Sequence, residues 1–235
     1  MLFLKFGKKE HLQQLKEGVV HFRPLSSFIK DGTRFRGDRL EGHLLLDLSY
    51  PLLINGIDFA PDFKEVFLSY VGLESVLSFS VAKVDGSNCH VTENGLFTPN
   101  DDFIEEMIQF GSHFLIFPAD EFIPAVNEEL RKHKCNYEYH PIFYCDKTNH
   151  AGIAEYFEMK RNRGELSEPY DYCFIKDRTP YSKQNEWRII VDDINNEFQI
   201  GDNGGVNIQT TFRTEMPIFE TTLLNTLLVS EAYLK

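Results

Sequence analysis

The segment from Gln184 to Val191 constrains the fold of this chain more than any other stretch. Its sequence is Gln-Asn-Glu-Trp-Arg-Ile-Ile-Val, so the polar pair Gln184 and Glu186 leads into a run of β-branched residues. β-Branched residues favour strands, and residues two apart in a strand point to the same face. We therefore predict a strand over residues 186–191, with both polar side chains turned into one space. The alternative is an edge strand on which both face solvent.

Short apolar runs separated by glycine, proline and polar turns recur along the rest of the chain. They predict strands at residues 2–6, 19–24, 44–54, 57–70, 71–81, 110–117, 137–144 and 170–175, helices at 8–17, 101–109 and 121–133, a charged helix-plus-loop insertion at 146–169, and short closing elements at 197–200, 207–213 and 219–229. The step Asn55-Gly56 predicts a hairpin turn. We predict one α+β domain over residues 1–235, because no repeat or composition break divides the chain and its 21 phenylalanines favour a sheet-rich core.

The charge of the chain is unevenly distributed. The net charge of −12 disfavours a dedicated nucleic-acid binder, which normally carries a basic surface. Nine basic residues nevertheless fall within the first forty: Lys5, Lys8, Lys9, Lys16, Arg23, Lys30, Arg34, Arg36 and Arg39. This asymmetry indicates an anionic ligand near the N-terminal segment, and a scattered solvated surface is the alternative.

The cysteines and the hydropathy pattern indicate a cytoplasmic protein. Four cysteines occur without a C-x-x-C spacing, as expected for reduced thiols. No metal site is expected, since His133, Cys135 and His140 lack the spacing of known zinc sites. We predict neither a signal peptide nor a membrane helix, because no apolar run approaches the roughly 20 residues that a membrane span needs.

Three short polar motifs follow one another in a telling order. Lys5 lies on the first predicted strand, Ser78 and Ser80 share one face of a central strand, and Gln184 and Glu186 come late. This order resembles that of mono-ADP-ribosyltransferases of the Arg-Ser-Glu class. The chain looks like a divergent member of that superfamily, of the kind found among bacterial and phage-defence toxins.

The resemblance implies a fold, a substrate and a role for each motif. The expected fold has two small mixed or antiparallel sheets around a cleft, with flanking helices. NAD is the implied substrate, and Ser78 and Ser80 are expected to shape the pocket on its nicotinamide side. Glu186 is expected to stabilise an oxocarbenium-like ribosyl cation, and Gln184 to orient a protein or nucleic-acid acceptor other than arginine. A toxin of this kind also implies an antitoxin partner.

The sequence departs from the family pattern at two places. Lys5 stands where an arginine is usual, and an ammonium cannot form the bidentate contact that a guanidinium makes with phosphate. Arg23 and Arg36 are therefore alternative NAD-phosphate ligands. Arg36 belongs to the charged, glycine-containing segment 30–42, which is either an ordered functional loop or an exposed hairpin. Ser78-Phe79-Ser80 also lacks the central threonine of the commoner motif.

Two other classes of function are compatible with the sequence. One is a non-enzymatic phage or mobile-element protein that binds a host partner through an aromatic surface made of Tyr137, Tyr139, Phe143, Tyr144, Tyr156, Tyr170 and Tyr172. The other is a metal-dependent hydrolase or nuclease that uses Asp38, Glu41 and Glu186.

Overall fold

A computed structural model describes most of the chain. The described residues are 1–31, 33, 37–46, 48–49, 53–58, 60–69, 72–147, 150–166, 168, 170–193, 195, 197–198, 201 and 204–234. The strands are β1 (Leu2–Gly7), β2 (Val19–Pro24), β3 (His43–Leu45), β4 (Leu53–Ile54), β5 (Ile57–Asp58), β6 (Phe67–Ser69), β7 (Val76–Val84), β8 (Cys89–Val91), β9 (Phe97–Pro99), β10 (His113–Pro118), β11 (Asn136–Pro141), β12 (Phe143–Cys145), β13 (Ile175–Asp177), β14 (Glu186–Asp192), β15 (Val206–Gln209) and β16 (Ile218–Glu220). The α-helices are α1 (Lys9–Lys16), α2 (Ser26–Lys30), α3 (Asp101–Met107), α4 (Ala119–Leu130), α5 (His150–Asn162) and α6 (Arg178–Tyr181).

The main sheet has eight strands and is antiparallel throughout. Six strands follow the order β11-β14-β7-β1-β10-β16, and β2 joins β7 and carries β15 on its other side. Four two-stranded sheets surround it, of which β12–β13 is parallel. The α+β class agrees with the sequence prediction. In place of the two small sheets that the resemblance implied, the chain forms one large sheet that divides at β7.

Strand alternation distributes the apolar side chains between the two faces of the main sheet. One face carries Phe3, Leu77, Phe79, Val81, Trp187, Ile189 and Val191, packed against Phe122, Val126 and Leu130 of α4. The other face carries Leu2, Leu4 and Ala82 against Phe103 and Met107 of α3, and Ile190 against Leu25 and Phe174. The predicted alternation along residues 71–81 is confirmed, because the odd-numbered apolar residues enter the first core.

Several predicted strands have other conformations. Residues 44–54 and 57–70 contain only short strand segments among their described residues, although the Asn55-Gly56 hairpin is confirmed by the β4–β5 pair and by positive φ angles of 52° and 82°. The predicted strand at 170–175 is instead a 3₁₀ turn from Asp171 to Phe174, followed by β13. The Asp171 carboxylate accepts the backbone N–H of Glu168 at 2.8 Å, and such local hydrogen bonds favour turns over strands.

The described helices are short. None of them is long and apolar enough to cross a membrane.

Candidate active site

The two edges of β7 are paired in different ways. Residues 76–82 of β7 pair with β14 along one edge. On the other edge, β1 pairs with residues 82–84 and β2 pairs with residues 77–78. Residues 79–81 of that edge pair with neither strand, because β1 and β2 diverge there. A cleft of about 550 Å³ opens at this fork and is lined by β1, β2 and β7.

The cleft is basic although the whole chain is acidic. Its charged or ionisable lining residues are Lys5, Lys8, His11, His21, Arg23, Lys176, Arg188 and, as the one carboxylate among the described residues, Glu186. A concave site lined by one sign of charge concentrates ligands of the opposite sign. The cleft therefore suits an anionic ligand that contacts the carboxylate of Glu186 at one position.

Glu186 is held at the base of the cleft by three side chains. Ser80 Oγ donates to its Oε1 at 2.5 Å, Lys176 Nζ donates to its Oε2 at 2.7 Å, and Arg188 Nε donates to its Oε1 at 2.8 Å. The register explains two of these contacts. Arg188 lies opposite Ser80 and two residues from Glu186 on the same strand face, so all three side chains converge.

A second carboxylate completes a buried charge network, which comprises Glu41, Lys176, Glu186 and Arg188. Arg188 Nη1 and Nη2 donate to the two carboxylate oxygens of Glu41 at 2.6 and 3.3 Å, and Lys176 Nζ lies 3.8 Å from Glu41 Oε2. All four residues are buried. Two negative and two positive charges therefore alternate in the interior, and each is next to an opposite charge.

The network keeps both carboxylates ionised. Burial alone would raise the pKa of Glu186, but the charges of Arg188 and Lys176 and the hydrogen bonds from Lys176 and Ser80 hold it well below its usual value. Burial is likewise outweighed at Glu41, where Arg188 and Lys176 lower the pKa. At neutral pH Glu186 is thus an anion that is paired with Lys176 and Arg188.

The segment that carries Glu41, residues 37–46, is tied down from several elements. Tyr181 Oη donates to the Gly37 carbonyl, and Lys147 Nζ donates to the Leu40 carbonyl and lies 3.9 Å from Asp38 Oδ2. Asp38 and Lys147 are buried, and burial raises the pKa of the first and lowers that of the second. The described part of the charged segment is therefore ordered and partly buried, unlike an exposed hairpin.

Gln184 lies close to Glu186 in the structure, but it belongs to a 3₁₀ turn and not to a strand. Gln184 ends a 3₁₀ turn, and Asn185 has a left-handed φ of 44°, so the strand starts only at Glu186. Both residues still line the cleft. Gln184 Nε2 donates to Glu106 Oε1 of α3 at 3.1 Å, which fixes the orientation of the amide.

The remaining predicted site residues lie at the fork, except one. Lys5 Nζ donates to the Ser80 carbonyl at 2.5 Å and lies 4.4 Å from the centre of the Phe79 ring. Arg23 is opposite Ser78 in the β2–β7 register. Ser78 is buried, and its hydroxyl has no hydrogen-bond partner among the described residues. The position of Arg36 lies outside the described residues.

Sequence reasoning missed three of the contacts to Glu186. Arg188 could have been found, because it follows Glu186 by two residues in a predicted strand. Lys176 and Tyr144 gave no such signal, since they come from β13 and β12, which pair with each other outside the main sheet. Tyr144 Oη accepts the backbone N–H of Glu186 at 2.9 Å, which anchors the start of β14.

The described residues form neither the aromatic surface that a binding protein would need nor the metal cluster that a metal-dependent hydrolase would need. Of the seven aromatic residues expected to form a binding surface, Tyr139 alone is exposed. Glu41 and Glu186 are each paired with Arg188 and Lys176, and with Asp38 they form no three-ligand metal cluster among the described residues.

Comparisons of the chain with protein-family models, with curated proteins and with solved structures found no match.

Proposed function

We propose that this chain is an NAD-dependent ADP-ribosyltransferase, formed by one ADP-ribosyltransferase-like domain over residues 1–235. The observation that carries the proposal is the ionised carboxylate of Glu186 at the base of a basic cleft, hydrogen-bonded to Ser80. Lys5, Arg23 and Ser78 line the same cleft from β1, β2 and β7. Ser78 and Ser80 on β7 share one sheet face with Glu186 on β14 at this cleft, which supports the proposal.

The proposed reaction transfers ADP-ribose from NAD to a nucleophile. The bond between C1′ of the ribose and the nicotinamide nitrogen breaks, and its electron pair neutralises the pyridinium ring as nicotinamide leaves. C1′ develops positive charge, which the Glu186 carboxylate stabilises electrostatically. A lone pair of the acceptor then forms the new bond to C1′, and the proton of the acceptor passes to solvent.

The buried charge network gives Glu186 the two properties that this role demands. Arg188 and Lys176 keep it ionised, so that it meets the ribosyl cation as an anion at neutral pH. Ser80 and Arg188 both donate to Oε1, which fixes the orientation of the carboxylate before substrate binds. Preorganised charge of this kind requires no reorganisation during the reaction.

Gln184 is the proposed acceptor-orienting residue, since it lies at the cleft beside Glu186 and its amide is fixed by Glu106. The acceptor is a protein or nucleic-acid group other than arginine. We place the activity in the cytoplasm as that of a toxin or phage-defence effector, with an antitoxin as the matching partner.

The test is nicotinamide release from NAD, measured with protein and nucleic-acid acceptors supplied separately. Glu186→Gln is expected to reduce the rate roughly hundredfold or more, since removing one group that stabilises transition-state charge has an effect of this size. Glu65→Gln is the matched control, because it makes the same substitution at an exposed carboxylate that does not line the cleft. It should reduce the rate far less. Equal release by the wild type and Glu186→Gln would refute the proposal, as would no release by the wild type with any acceptor.

A further inference from the structure

We infer that His21 is a second catalytic residue of the cleft, a general base that takes a proton from the acceptor as the acceptor bonds to C1′. The inference deepens the proposed function and rests on it for the identity of the reaction. His21 and Asn207 both line the cleft, and neither has a role in stabilising the ribosyl cation. Their geometry gives the imidazole the form and the position that a general base needs.

A hydrogen bond to Asn207 sets the tautomer of the imidazole. His21 and Asn207 are opposite each other in the β2–β15 register, and His21 Nδ1 lies 2.7 Å from Asn207 Oδ1. An amide oxygen can only accept a hydrogen bond, so Nδ1 is the nitrogen that carries the proton. In a neutral imidazole the other nitrogen, Nε2, then has the free lone pair. His21 is therefore held as a proton acceptor at Nε2.

The position of the ring is fixed, and its Nε2 atom is accessible. A Cβ atom at Gly205 would lie 2.4 Å from Cε1 and 2.6 Å from Nε2 of His21, so the ring packs against a backbone that only glycine allows to come this close. Among the described residues Nε2 has no hydrogen-bond partner, yet it is not one of the buried polar atoms that lack a partner. The lone pair is therefore open to a ligand.

The strand register places His21 level with Ser80 across the fork. β2 and β7 are antiparallel, and Arg23 is opposite Ser78. Two residues further along each strand, where the strands have diverged, are His21 and Ser80. Ser80 Oγ donates to Glu186 at 2.5 Å. The imidazole and the catalytic carboxylate therefore lie on opposite sides of the fork.

His21 and Glu186 also face the same side of the main sheet. Val20 and Phe22 enter the core that α4 covers, and so does Phe79 of β7. Side chains alternate along a strand, so His21 points to the opposite face, and both His21 and Glu186 line the cleft there. The space between them can hold a ribose together with the atom that attacks it.

The other ionisable groups of the cleft are less suited to accept a proton. Lys176 and Arg188 lower the pKa of Glu186 well below its usual value, so this carboxylate is a weak base. Both cations are themselves protonated in these ion pairs. His11 also lines the cleft, but it is exposed on α1, and no described side chain hydrogen-bonds to its ring. His21 is the imidazole that the protein orients.

The proton transfer completes the proposed reaction. Nicotinamide leaves with the electron pair of its bond to C1′, and a lone pair of the acceptor forms the new bond. The acceptor atom then carries an excess proton, which passes to the lone pair of His21 Nε2. Asn207 Oδ1 stabilises the resulting imidazolium at Nδ1, and the imidazolium returns the proton to solvent.

The main test measures ADP-ribose formation from NAD with water as the acceptor. His21→Gln should lower kcat roughly hundredfold or more and leave the KM for NAD within about twofold, because a general base acts on the acceptor. His90→Gln is the matched control, since Nδ1 of the exposed His90 lies 3.0 Å from Asn100 Oδ1 outside the cleft. It should change neither constant. Equal kcat values for the wild type and His21→Gln, or an effect confined to KM, would overturn the inference.

Two variants of Asn207 test whether this residue positions the base. Asn207→Asp keeps an oxygen that accepts from His21 Nδ1 and should retain most of the kcat. Asn207→Leu removes the acceptor, so the tautomer is no longer fixed and kcat should fall roughly tenfold. Equal kcat values for these two variants would contradict the positioning role.

Nitrogen-15 NMR of the histidine-labelled wild type tests the tautomer without measuring activity. The His21 signals are assigned by their loss in His21→Gln. The neutral imidazole should carry its proton on Nδ1 and have an unprotonated Nε2. A proton on Nε2 in the neutral form would refute the inference, whatever the variants do to folding.

The outcomes distinguish a failure of the base from a failure of the proposed function. Nicotinamide release with an added acceptor that His21→Gln leaves unchanged would refute the base and preserve the transferase. Release with an added acceptor but no ADP-ribose formation in water would do the same, since this base would also activate water. A wild type that forms no ADP-ribose and releases no nicotinamide would remove the transferase and the base with it.

Discussion

Replacing Glu41 with glutamine tests whether the buried charge network stabilises the fold. The side chain of Glu41 is fully buried and that of Arg188 is 2% exposed, with Nη1 and Oε1 2.6 Å apart. Removing one partner of a buried ion pair typically costs about 3–5 kcal/mol, because the other charge stays buried without compensation. Glutamine keeps the volume and one acceptor oxygen, so we expect a loss near the lower value, about 3 kcal/mol. For a chain of this size that lowers the Tm by about 6–12 °C.

The assay is urea denaturation of four proteins: the wild type, Glu41→Gln, Arg188→Met and the double variant. The double variant should be more stable than the sum of the single losses by at least about 1 kcal/mol, since it leaves no unpaired charge. Glu65→Gln is the exposed control, because Glu65 pairs with Arg39 in the same bidentate way at the surface. It should change stability little. Additive losses, or a Glu41→Gln effect as small as that of Glu65→Gln, would refute the reasoning.

Three further predictions concern acid stability, the fork and the thiols. The pKa of Glu186 is lowered on folding. The ionised Glu186 side chain therefore stabilises the folded state above its unfolded pKa of about 4.3, and this stabilisation is lost as the pH falls. Glu186→Gln should therefore show a shallower loss of stability than the wild type between about pH 5 and pH 3 in acid titrations followed by circular dichroism, and parallel curves would contradict this. Lys5→Met keeps an apolar side chain against Phe79 but removes the donor to the Ser80 carbonyl. Thermal denaturation should therefore show a loss of about 1 kcal/mol, and an unchanged Tm would show that this hydrogen bond does not stabilise the fold. Burial raises the pKa of Cys145 to about 11 and that of Cys173 to about 12, so both should react with a thiol reagent only after unfolding, and rapid labelling of either in the native protein would oppose their buried placement.

Local periodicity made part of this structure predictable. The alternation of Ser78 and Ser80 with Leu77, Phe79 and Val81 is a property of any strand with one apolar face, and the structure follows it. The strand that starts at Glu186 was also predictable, because the β-branched residues that follow it favour strands.

The other features of the structure depend on contacts between residues that are distant in sequence, and local sequence patterns do not predict such contacts. Glu41 belongs to a polar, glycine-containing segment that resembles a surface loop, yet it pairs in the interior with Arg188, 147 residues away in sequence. Its burial is possible only because distant cations compensate its charge. The fork at β7 also escapes local reasoning, since it is created by the registers of β1 and β2 rather than by their sequences. Lys5 lines the cleft, but the group that accepts its hydrogen bond, the backbone carbonyl of Ser80, has no sequence signal.

The most direct test of the central claim is a crystal structure of the protein with an NAD analogue whose nicotinamide–ribose bond cannot be cleaved. The account predicts that C1′ of the nicotinamide ribose lies about 3–4 Å from a carboxylate oxygen of Glu186, as expected for groups poised to interact in a transition state. It also predicts that a phosphate of the analogue contacts Arg23, which lines the cleft. An analogue bound elsewhere on the protein, or bound in the cleft with its nicotinamide ribose away from Glu186, would contradict it.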